Sequence, residues 1–175
     1  PPSSFQVRRQ ASEEVAMPRN FKSTAPLQKP DPKFGSMLAN KIINQLMEDG
    51  KKTTAQRIFY DALDLAQKKL PDLEEGQEEI FNKAIDNIRP SVEVRSKRVG
   101  GANYQVPREV KRARQLSLAI RWLIDNSRKK KGKPMAQRLA EELVDAYNGT
   151  GASVSWKENV HKMAEANKAY AHYAR

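Results

Sequence analysis

The sequence predicts an all-α protein, a single helical-bundle domain of about six helices with one protruding β-hairpin. Six stretches carry apolar residues at three- and four-residue spacing, which is the period of an amphipathic helix. Only residues 90–107 alternate instead, around Gly100-Gly101, as the two strands of a hairpin do. At 175 residues the chain can bury one sizeable core, so one domain is expected.

Residues 1–33 are predicted to form a disordered basic arm, and residues 34–175 form the helical domain. The arm has no hydrophobic period and contains six of the ten prolines of the chain, together with Lys22 and Lys33. Residues 1–16 precede Met17-Pro18, which resembles a natural start, so we interpret them as an extension. They lack the apolar stretch of a secretory signal.

Three apolar stripes before residue 90 predict the first three helices. We expect Gly50 to end the first helix, Thr53 or Thr54 to cap the second, and Pro90 to follow the third, whose start is rich in glutamate. The stripes are Leu38, Ile42, Ile43 and Leu46, then Ala55, Ile58, Phe59, Ala62, Leu63 and Ala66, then Ile80, Phe81, Ala84, Ile85 and Ile88.

The hairpin at about residues 91–107 has two possible registers. A two-residue turn at Gly100-Gly101 places Arg95 opposite Val106. A three-residue turn that includes Ala102 instead pairs Ser96 with Val106 and gathers the apolar side chains on one face. Because a shift of one residue moves every side chain to the other face, the apolar grouping favours the three-residue turn.

Three more stripes follow the hairpin and predict the last three helices. We expect Pro134 to be the first residue of the fifth helix and Ser155 and Glu158 to form a capping box for the sixth. The stripes are Leu116, Ile120, Leu123 and Ile124, then Ala136, Leu139, Ala140, Leu143, Val144 and Tyr147, then Val160, Met163, Ala164, Asn167 and Ala171. The core is predicted to bury together Ile43, Phe59, Ile85, Ile120 and Leu143.

The charge of the chain indicates a polyanionic partner. Thirty-two Lys and Arg residues against 21 Asp and Glu give a formal net charge of +11. Residues 89–114 contain eight basic and two acidic residues, whereas residues 61–86 contain eight acidic and three basic residues. RNA is favoured over DNA because no helix-turn-helix, zinc-finger or zipper pattern occurs. A membrane is disfavoured because no apolar run reaches about 18 residues.

Enzymatic chemistry finds little support. The stretch Gly50-Lys51-Lys52-Thr53 lacks the first glycine of a phosphate-binding loop. His161 and Glu165 stand one helical turn apart, yet no third metal ligand lies near them. With no cysteine, disulfides and thiolate metal sites are excluded. We expect no catalytic residues, no metal and no cofactor.

Basic residues on the arm, at a helix–helix turn, on the hairpin, and at both ends of the fourth helix are the candidate phosphate ligands. Together with a segregated acidic segment they predict RNA recognition through shape and backbone. The candidates are Lys22, Lys33, Lys51, Lys52, Arg95, Lys97, Arg98, Arg108, Lys111, Arg112, Arg114, Lys129, Lys130 and Lys131.

From Lys29 to His172 the chain resembles small-subunit ribosomal protein seven, of the bacterial and organellar type. The matching stretches occur in order along the chain. They are Pro30-Asp31-Pro32-Lys33-Phe34-Gly35, Asp49-Gly50-Lys51-Lys52-Thr53-Thr54-Ala55, Val92-Glu93-Val94-Arg95-Ser96-Lys97-Arg98-Val99-Gly100-Gly101, Tyr104-Gln105-Val106-Pro107, Ala119-Ile120-Arg121-Trp122 and His161-Lys162-Met163-Ala164-Glu165-Ala166-Asn167-Lys168-Ala169-Tyr170-Ala171-His172.

The resemblance implies a helical bundle with its hairpin between the third and fourth helices. It implies a primary binder of small-subunit ribosomal RNA that nucleates the head of the subunit, near the exit-site tRNA and the mRNA exit path. Small-subunit proteins nine and eleven would be its neighbours. Its location would be the bacterial cytoplasmic ribosome, or an organelle ribosome. RNA contacts extend by resemblance to Lys157, His161 and Lys162.

Two alternatives stay open from the sequence. A regulatory RNA-binding protein that acts on a messenger outside the ribosome would use the same surface. A helical protein–protein adaptor with an incidental basic surface would show no salt-sensitive RNA binding.

Overall fold

Among the residues that the structure describes, six α-helices and one antiparallel hairpin follow one another in the predicted order. The structure is a computed structural model that describes residues 27–70 and 76–174. The elements are α1 (Met37–Leu46), α2 (Lys52–Lys69), α3 (Gln77–Ile88), β1 (Val92–Val99), β2 (Ala102–Glu109), α4 (Arg112–Lys129), α5 (Met135–Tyr147), α6 (Ala152–Ala166) and a C-terminal 3-10 helix (Lys168–Ala174). Most of the expected arm, including Lys22, lies outside the described residues.

The apolar stripes of the helices meet in one core, as the sequence predicts. Helix α5 packs against α2, α3 and α4, and the predicted core side chains are buried together. Ile120 is the most exposed of the five, at only 4%. Burying one such large side chain contributes about 1.5–3 kcal/mol. The core thereby fixes the axis of α4, from which many of the basic residues extend.

The turn before α1 is packed onto the helices by Asp31. This buried carboxylate accepts a hydrogen bond from the Tyr60 hydroxyl at 2.8 Å and from the backbone N–H of Lys33 at 3.1 Å. Burial, the hydrogen bond to Asp31 and its charge raise the pKa of Tyr60 to about 12. Phe34 then packs edge-on against Tyr60 and Phe81.

The expected threonine cap of α2 is wrong. The helix begins at Lys52 with Lys51 as its N-cap residue, and no side chain caps it. The reason lies in the preceding turn, where Asp49 and Gly50 both have positive φ, at 52° and 74°. The N–H of Lys51 bonds to the carbonyl of Glu48 at 2.9 Å, so the helix starts directly after the turn.

The expected capping box of α6 is also wrong. The helix begins three residues before Ser155, at Ala152, and the Ser155 hydroxyl donates to the Gly151 carbonyl within the first turn. The free N–H of Ser153 is instead bonded at 2.8 Å to the carboxylate of Glu142 on α5. A side chain from a neighbouring helix therefore does the work of a local cap. Helix α5 itself starts at Met135, with Pro134 as the N-cap residue.

The hairpin has the two-residue turn, so the predicted three-residue turn is wrong. Arg95 pairs with Val106 and Lys97 with Tyr104. Gly100 and Gly101 have φ of 57° and 90°, and two consecutive positive φ values are what a type I′ turn requires. The apolar grouping misled because the face with Val106 and Tyr104 packs against α6 and the C-terminal 3-10 helix alongside charged side chains.

Candidate nucleic-acid interface

The first group of predicted residues meets where the hairpin joins α4. We call this group the hairpin-base cluster, and all of its members except Arg112 line a cleft of about 550 Å³, together with Glu93 and Glu109. Its members are Arg95, Arg108, Lys111, Arg112 and Arg114. Most of these side chains are exposed, and Arg114 is half-buried. The strands and the first turn of α4 thus bring together cations that are up to 19 residues apart in the chain.

One carboxylate organises the hairpin-base cluster. Glu93 is only 9% exposed, and its Oε1 accepts a hydrogen bond from the Arg95 guanidinium at 2.6 Å. Its Oε2 accepts from the Arg114 guanidinium at 3.3 Å. The shared anion orients two guanidinium groups and reduces the repulsion between them. Both arginines keep exposed surface for a second anion.

Two residues of α6 that were expected to contact RNA bond within the protein instead, His161 to the base of the hairpin and Lys157 to α3. Nε2 of His161 accepts a hydrogen bond from the Ser91 N–H at 3.2 Å. Burial, with the nearby Lys157 charge, lowers the pKa of His161, which favours the neutral ring that accepts this bond. Lys157 donates to the carbonyl of Asn87 in the last turn of α3 at 2.6 Å. Lys162 is exposed to solvent.

The second group lies at the other end of α4, where the α1–α2 turn meets the α4–α5 loop. We call it the loop cluster, and its members are Lys51, Lys52, Lys129, Lys130 and Lys131. Arg128 joins the two segments through an ion pair with Glu48 at 2.8 Å. A cleft of about 390 Å³ lies between them.

Most of the loop-cluster lysines already have a partner. Lys52 donates to the Asn40 amide oxygen at 2.9 Å, and the exposed Lys51 lies 3.6 Å from the Asp49 carboxylate. The Lys129 ammonium lies 5.0 Å from the centre of the Trp156 ring. Lys131 is exposed.

Lys130 has a structural role, which its position in a run of basic residues does not indicate. Its ammonium forms an ion pair with the fully buried Glu142 at 2.8 Å and with Asp145 at 3.4 Å. Burial alone would raise the pKa of Glu142, but the hydrogen bonds from Lys130 and Ser153 lower this pKa overall. Burial likewise opposes the charge of Lys130, but Glu142 and Asp145 raise its pKa overall. Arg138 donates to the Lys130 carbonyl at 2.6 Å, so the loop backbone is fixed too.

Helix α4 connects the two clusters with a stripe of three arginines, of which the sequence prediction included only Arg114. Arg114, Arg121 and Arg128 are seven residues apart and therefore lie on one face of the helix. Lys41 of α1 and Arg121 line the same groove of about 350 Å³. An 18-residue helix is about 27 Å long, so the clusters lie roughly that far apart. The seven-residue spacing of arginine was the signal that could have found this stripe.

The remaining predicted residues lie apart from both clusters. Lys33 forms an ion pair with Asp64 at 3.8 Å, and its ammonium lies 5.2 Å from the centre of the Phe34 ring. Lys97 donates to the backbone carbonyl of Tyr173 at 2.7 Å. Arg98 is exposed beside the hairpin turn.

Among the described residues, neither a cluster of metal-ligating side chains nor a helix able to span a membrane is present. Within them, no group of three or more His, Asp or Glu side chains is placed to bind a metal ion. No helix among residues 27–70 and 76–174 is long and apolar enough to cross a membrane.

Open clefts lined by arginine and lysine on a helical scaffold define a protein of the nucleic-acid-binding class, since such surfaces fit a phosphate backbone. The comparison with known families is consistent with this class. Residues 18–168 match the family described as "Ribosomal protein S7p/S5e", and the chain belongs to that family. The family is structural and non-enzymatic.

Bacterial relatives align with most of the chain. The "Small ribosomal subunit protein uS7" of Chloroflexus aggregans is 58% identical over 146 residues, which cover 83% of this chain and 91% of the relative. The protein of that name from Rhodopirellula baltica is 56% identical over 147 residues, covering 82% and 91%. That of Fervidobacterium nodosum is 52% identical over 146 residues, with the same coverage.

Proposed function

We propose that this protein is a structural constituent of the small ribosomal subunit that binds the ribosomal RNA of that subunit. The observation that carries the proposal is the arginine stripe along α4, with a cleft lined in part by basic residues at each end. Family membership and the names of the relatives support the ribosomal setting.

The basic surface along α4 is better suited to bind a folded RNA than a single RNA double helix. Two cationic clefts about 27 Å apart can each hold a different stretch of phosphate backbone, which would join two segments of one RNA fold. Joining distant segments is the action expected of a primary binder that nucleates the head of the subunit. We extend the proposal to a place near the exit-site tRNA and the mRNA exit path, with small-subunit proteins nine and eleven as neighbours.

Most of the predicted residues can be assigned to one of two roles. We propose that phosphates are bound by exposed cations with few internal bonds. These are Lys51, Arg98, Arg108, Lys111, Arg112, Lys131 and Lys162, and Arg121 joins them. We assign a positioning role to Lys130, Lys157 and His161, whose polar atoms already bond within the protein. Lys22 would add a phosphate contact from the arm, and Lys33 would add one from the turn before α1.

The test is a salt titration of binding to a fragment of small-subunit ribosomal RNA. Each phosphate contact contributes about 0.7–0.9 to the slope of log affinity against log salt. Arg121→Ala and Arg112→Ala should therefore each weaken binding and lower the slope by about that amount. The control is Lys68→Ala, which removes an exposed cation in the last turn of α2.

The comparison of these variants decides the proposal. Arg121→Ala and Arg112→Ala should leave the circular dichroism spectrum and the unfolding midpoint unchanged, because both side chains are exposed. If Arg121→Ala and Lys68→Ala lower RNA affinity equally, the α4 stripe is not the interface. The native protein should also sediment with the small subunit.

A further inference from the structure

The outer half of the hairpin, residues 95–105, extends beyond the part of the ribbon that is buried. Val106, the next residue of β2, is buried, whereas no residue of the outer half is. At the base, the Ser91 N–H bonds to His161 of α6, and the Val110 N–H bonds to the Ser91 carbonyl at 3.0 Å. A two-stranded ribbon is only marginally stable in water, so the direction of its outer half depends on further contacts.

The C-terminal 3-10 helix supplies such contacts, and it reaches both strands at one cross-strand pair. Lys97 of β1 lies opposite Tyr104 of β2. The Lys97 ammonium donates to the Tyr173 carbonyl at 2.7 Å. The centre of the Tyr104 ring lies 5.1 Å from that of Tyr170 and 5.7 Å from that of Tyr173, which are favourable separations for aromatic pairs. The 3-10 helix therefore braces the outer half of the hairpin.

Three features indicate that this brace is weakly held. The 3-10 helix has seven residues, although such helices longer than three or four residues are uncommon because their hydrogen-bond geometry is poor. None of its residues is buried, so little apolar surface holds it in place. A cleft of about 340 Å³ remains open between it and the strands, lined by Arg95 and Arg108 on one side and by Tyr173 on the other.

We propose that the C-terminal 3-10 helix is a releasable brace that sets the direction of the hairpin, with Asn167, where α6 ends, as its hinge. When the brace is released, the outer half of the hairpin swings about its base while the helical domain stays folded. Two ring pairs and one hydrogen bond each favour the closed form roughly 2-fold to 10-fold, which together gives a preference of about 10-fold to 1,000-fold. The open form is therefore a minor state of about 0.1–10% of the molecules.

The experiment measures the distance between two spin labels in the full chain without RNA, so its result is independent of the proposed function. Because the chain has no cysteine, Asn103→Cys near the hairpin tip and Lys68→Cys on α2 provide the only two attachment points. Both positions are exposed. The labelled chain should show one narrow distance distribution, with no more than about a tenth of the molecules outside it.

Two variants of the labelled chain release the brace by different means. A chain that ends after Asn167 lacks the whole 3-10 helix, and its distance distribution should become broad. Tyr104→Thr loses both ring pairs but keeps a residue suited to a strand. It should raise the fraction of molecules outside the narrow distribution about 3-fold or more, to roughly 10–30%. The matched control, Tyr104→Phe, keeps the ring and should leave the distribution unchanged.

Urea unfolding separates a change of hairpin direction from a loss of the fold. The urea midpoint of the shortened chain should match that of the full chain, because no residue of the 3-10 helix is buried. An unchanged distance distribution in the shortened chain overturns the proposal, as does a Tyr104→Thr distribution equal to that of Tyr104→Phe. A distribution that broadens only together with a lower midpoint also overturns it, because the 3-10 helix would then stabilise the fold instead of directing the hairpin.

Discussion

Replacing Glu142 with glutamine tests how the loop cluster is held in place. The carboxylate is fully buried and bonds to Ser153 on α6 and to Lys130 on the loop. A glutamine oxygen can keep both bonds from Ser153, at 2.8 Å from its N–H and 2.7 Å from its hydroxyl. Glu142→Gln therefore removes mainly the charge that faces Lys130.

The expected loss follows from the partners that Lys130 retains. A hydrogen bond to a charged group contributes about 1.5–3 kcal/mol. Lys130 keeps Asp145 at 3.4 Å, and its side chain is 30% exposed, so solvent and a second carboxylate replace part of the lost interaction. We expect Glu142→Gln to lower the free energy of unfolding by about 1–2 kcal/mol.

The pH dependence gives the same change a second readout. Because the native pKa of Glu142 is lowered, its contribution is present above the ordinary value of 4.5 and is lost as the pH falls through the native pKa. The pKa of Lys130 is raised, so its contribution is present below 10.5 and is lost as the pH rises through the native pKa. Both slopes should be weaker in Glu142→Gln.

Urea unfolding followed by circular dichroism measures the effect, as a lower midpoint with an unchanged slope. The matched control is Glu141→Gln, one residue earlier, whose carboxylate forms ion pairs with Lys133 and Lys69 and is 26% exposed. That variant should lose no more than about 1 kcal/mol. If the two variants are equally destabilised, the buried network does not hold the loop and the reasoning is wrong.

Three further predictions concern the core, the hairpin base and the hairpin tip. Ile120→Ala should lower the free energy of unfolding by about 2–5 kcal/mol in the same urea assay, because the side chain is buried in the main core. Because the pKa of His161 is lowered in the folded protein, protonation of the ring opposes folding. The free energy of unfolding should therefore decrease as the pH falls below about 6.5, and this decrease should be absent in His161→Gln. An NMR titration of the ring should show the lowered pKa directly. Deleting residues 98–99 and 102–103 shortens the hairpin by two cross-strand pairs without changing its register. That variant should keep its helical circular dichroism signal and still enter the small subunit, while altering retention of exit-site tRNA. Collapse of incorporation with an intact signal would instead make the tip an assembly anchor.

The helices and the core could be predicted because burial of one helix face produces a periodic pattern of apolar residues in the sequence. A residue that faces the core recurs every three or four positions, and Ile43, Phe59, Ile85 and Leu143 are fully buried where that period places them. The order of the helices follows from the same pattern. Helix starts could not be predicted as well, since Glu142 on another helix satisfies the N-terminus of α6.

The prediction of the hairpin register was wrong for a related reason. The rule that apolar residues share one face of a strand assumes that this face is buried and that the other face is exposed to solvent. Here Tyr104 packs against tyrosines that lie 66 and 69 residues later in the chain, next to charged neighbours. The local signal, two glycines able to adopt positive φ, indicated the correct turn.

The list of basic residues could be predicted, but not which of them are available to RNA. Composition and spacing identify cations, whereas availability depends on partners that are distant in sequence. His161 bonds to Ser91, which is 70 residues away, and Lys157 bonds to Asn87 at the same separation. Arg121 was recoverable, because its seven-residue spacing from Arg114 is local information.

Each basic cluster contains at least one basic side chain that is bonded to a buried carboxylate, and this arrangement has a consequence for RNA binding. Glu93 orients Arg95 and Arg114 at one end of α4, and Glu142 fixes Lys130 at the other. A chain with a net charge of +11 would otherwise spread these cations apart by repulsion. Cations fixed before RNA arrives lose less side-chain entropy on binding, so more of each phosphate contact appears as affinity. Removing either carboxylate should therefore weaken RNA binding even though it makes the surface more positive. A variant such as Glu93→Gln that binds RNA more tightly would show that net charge outweighs the fixed geometry.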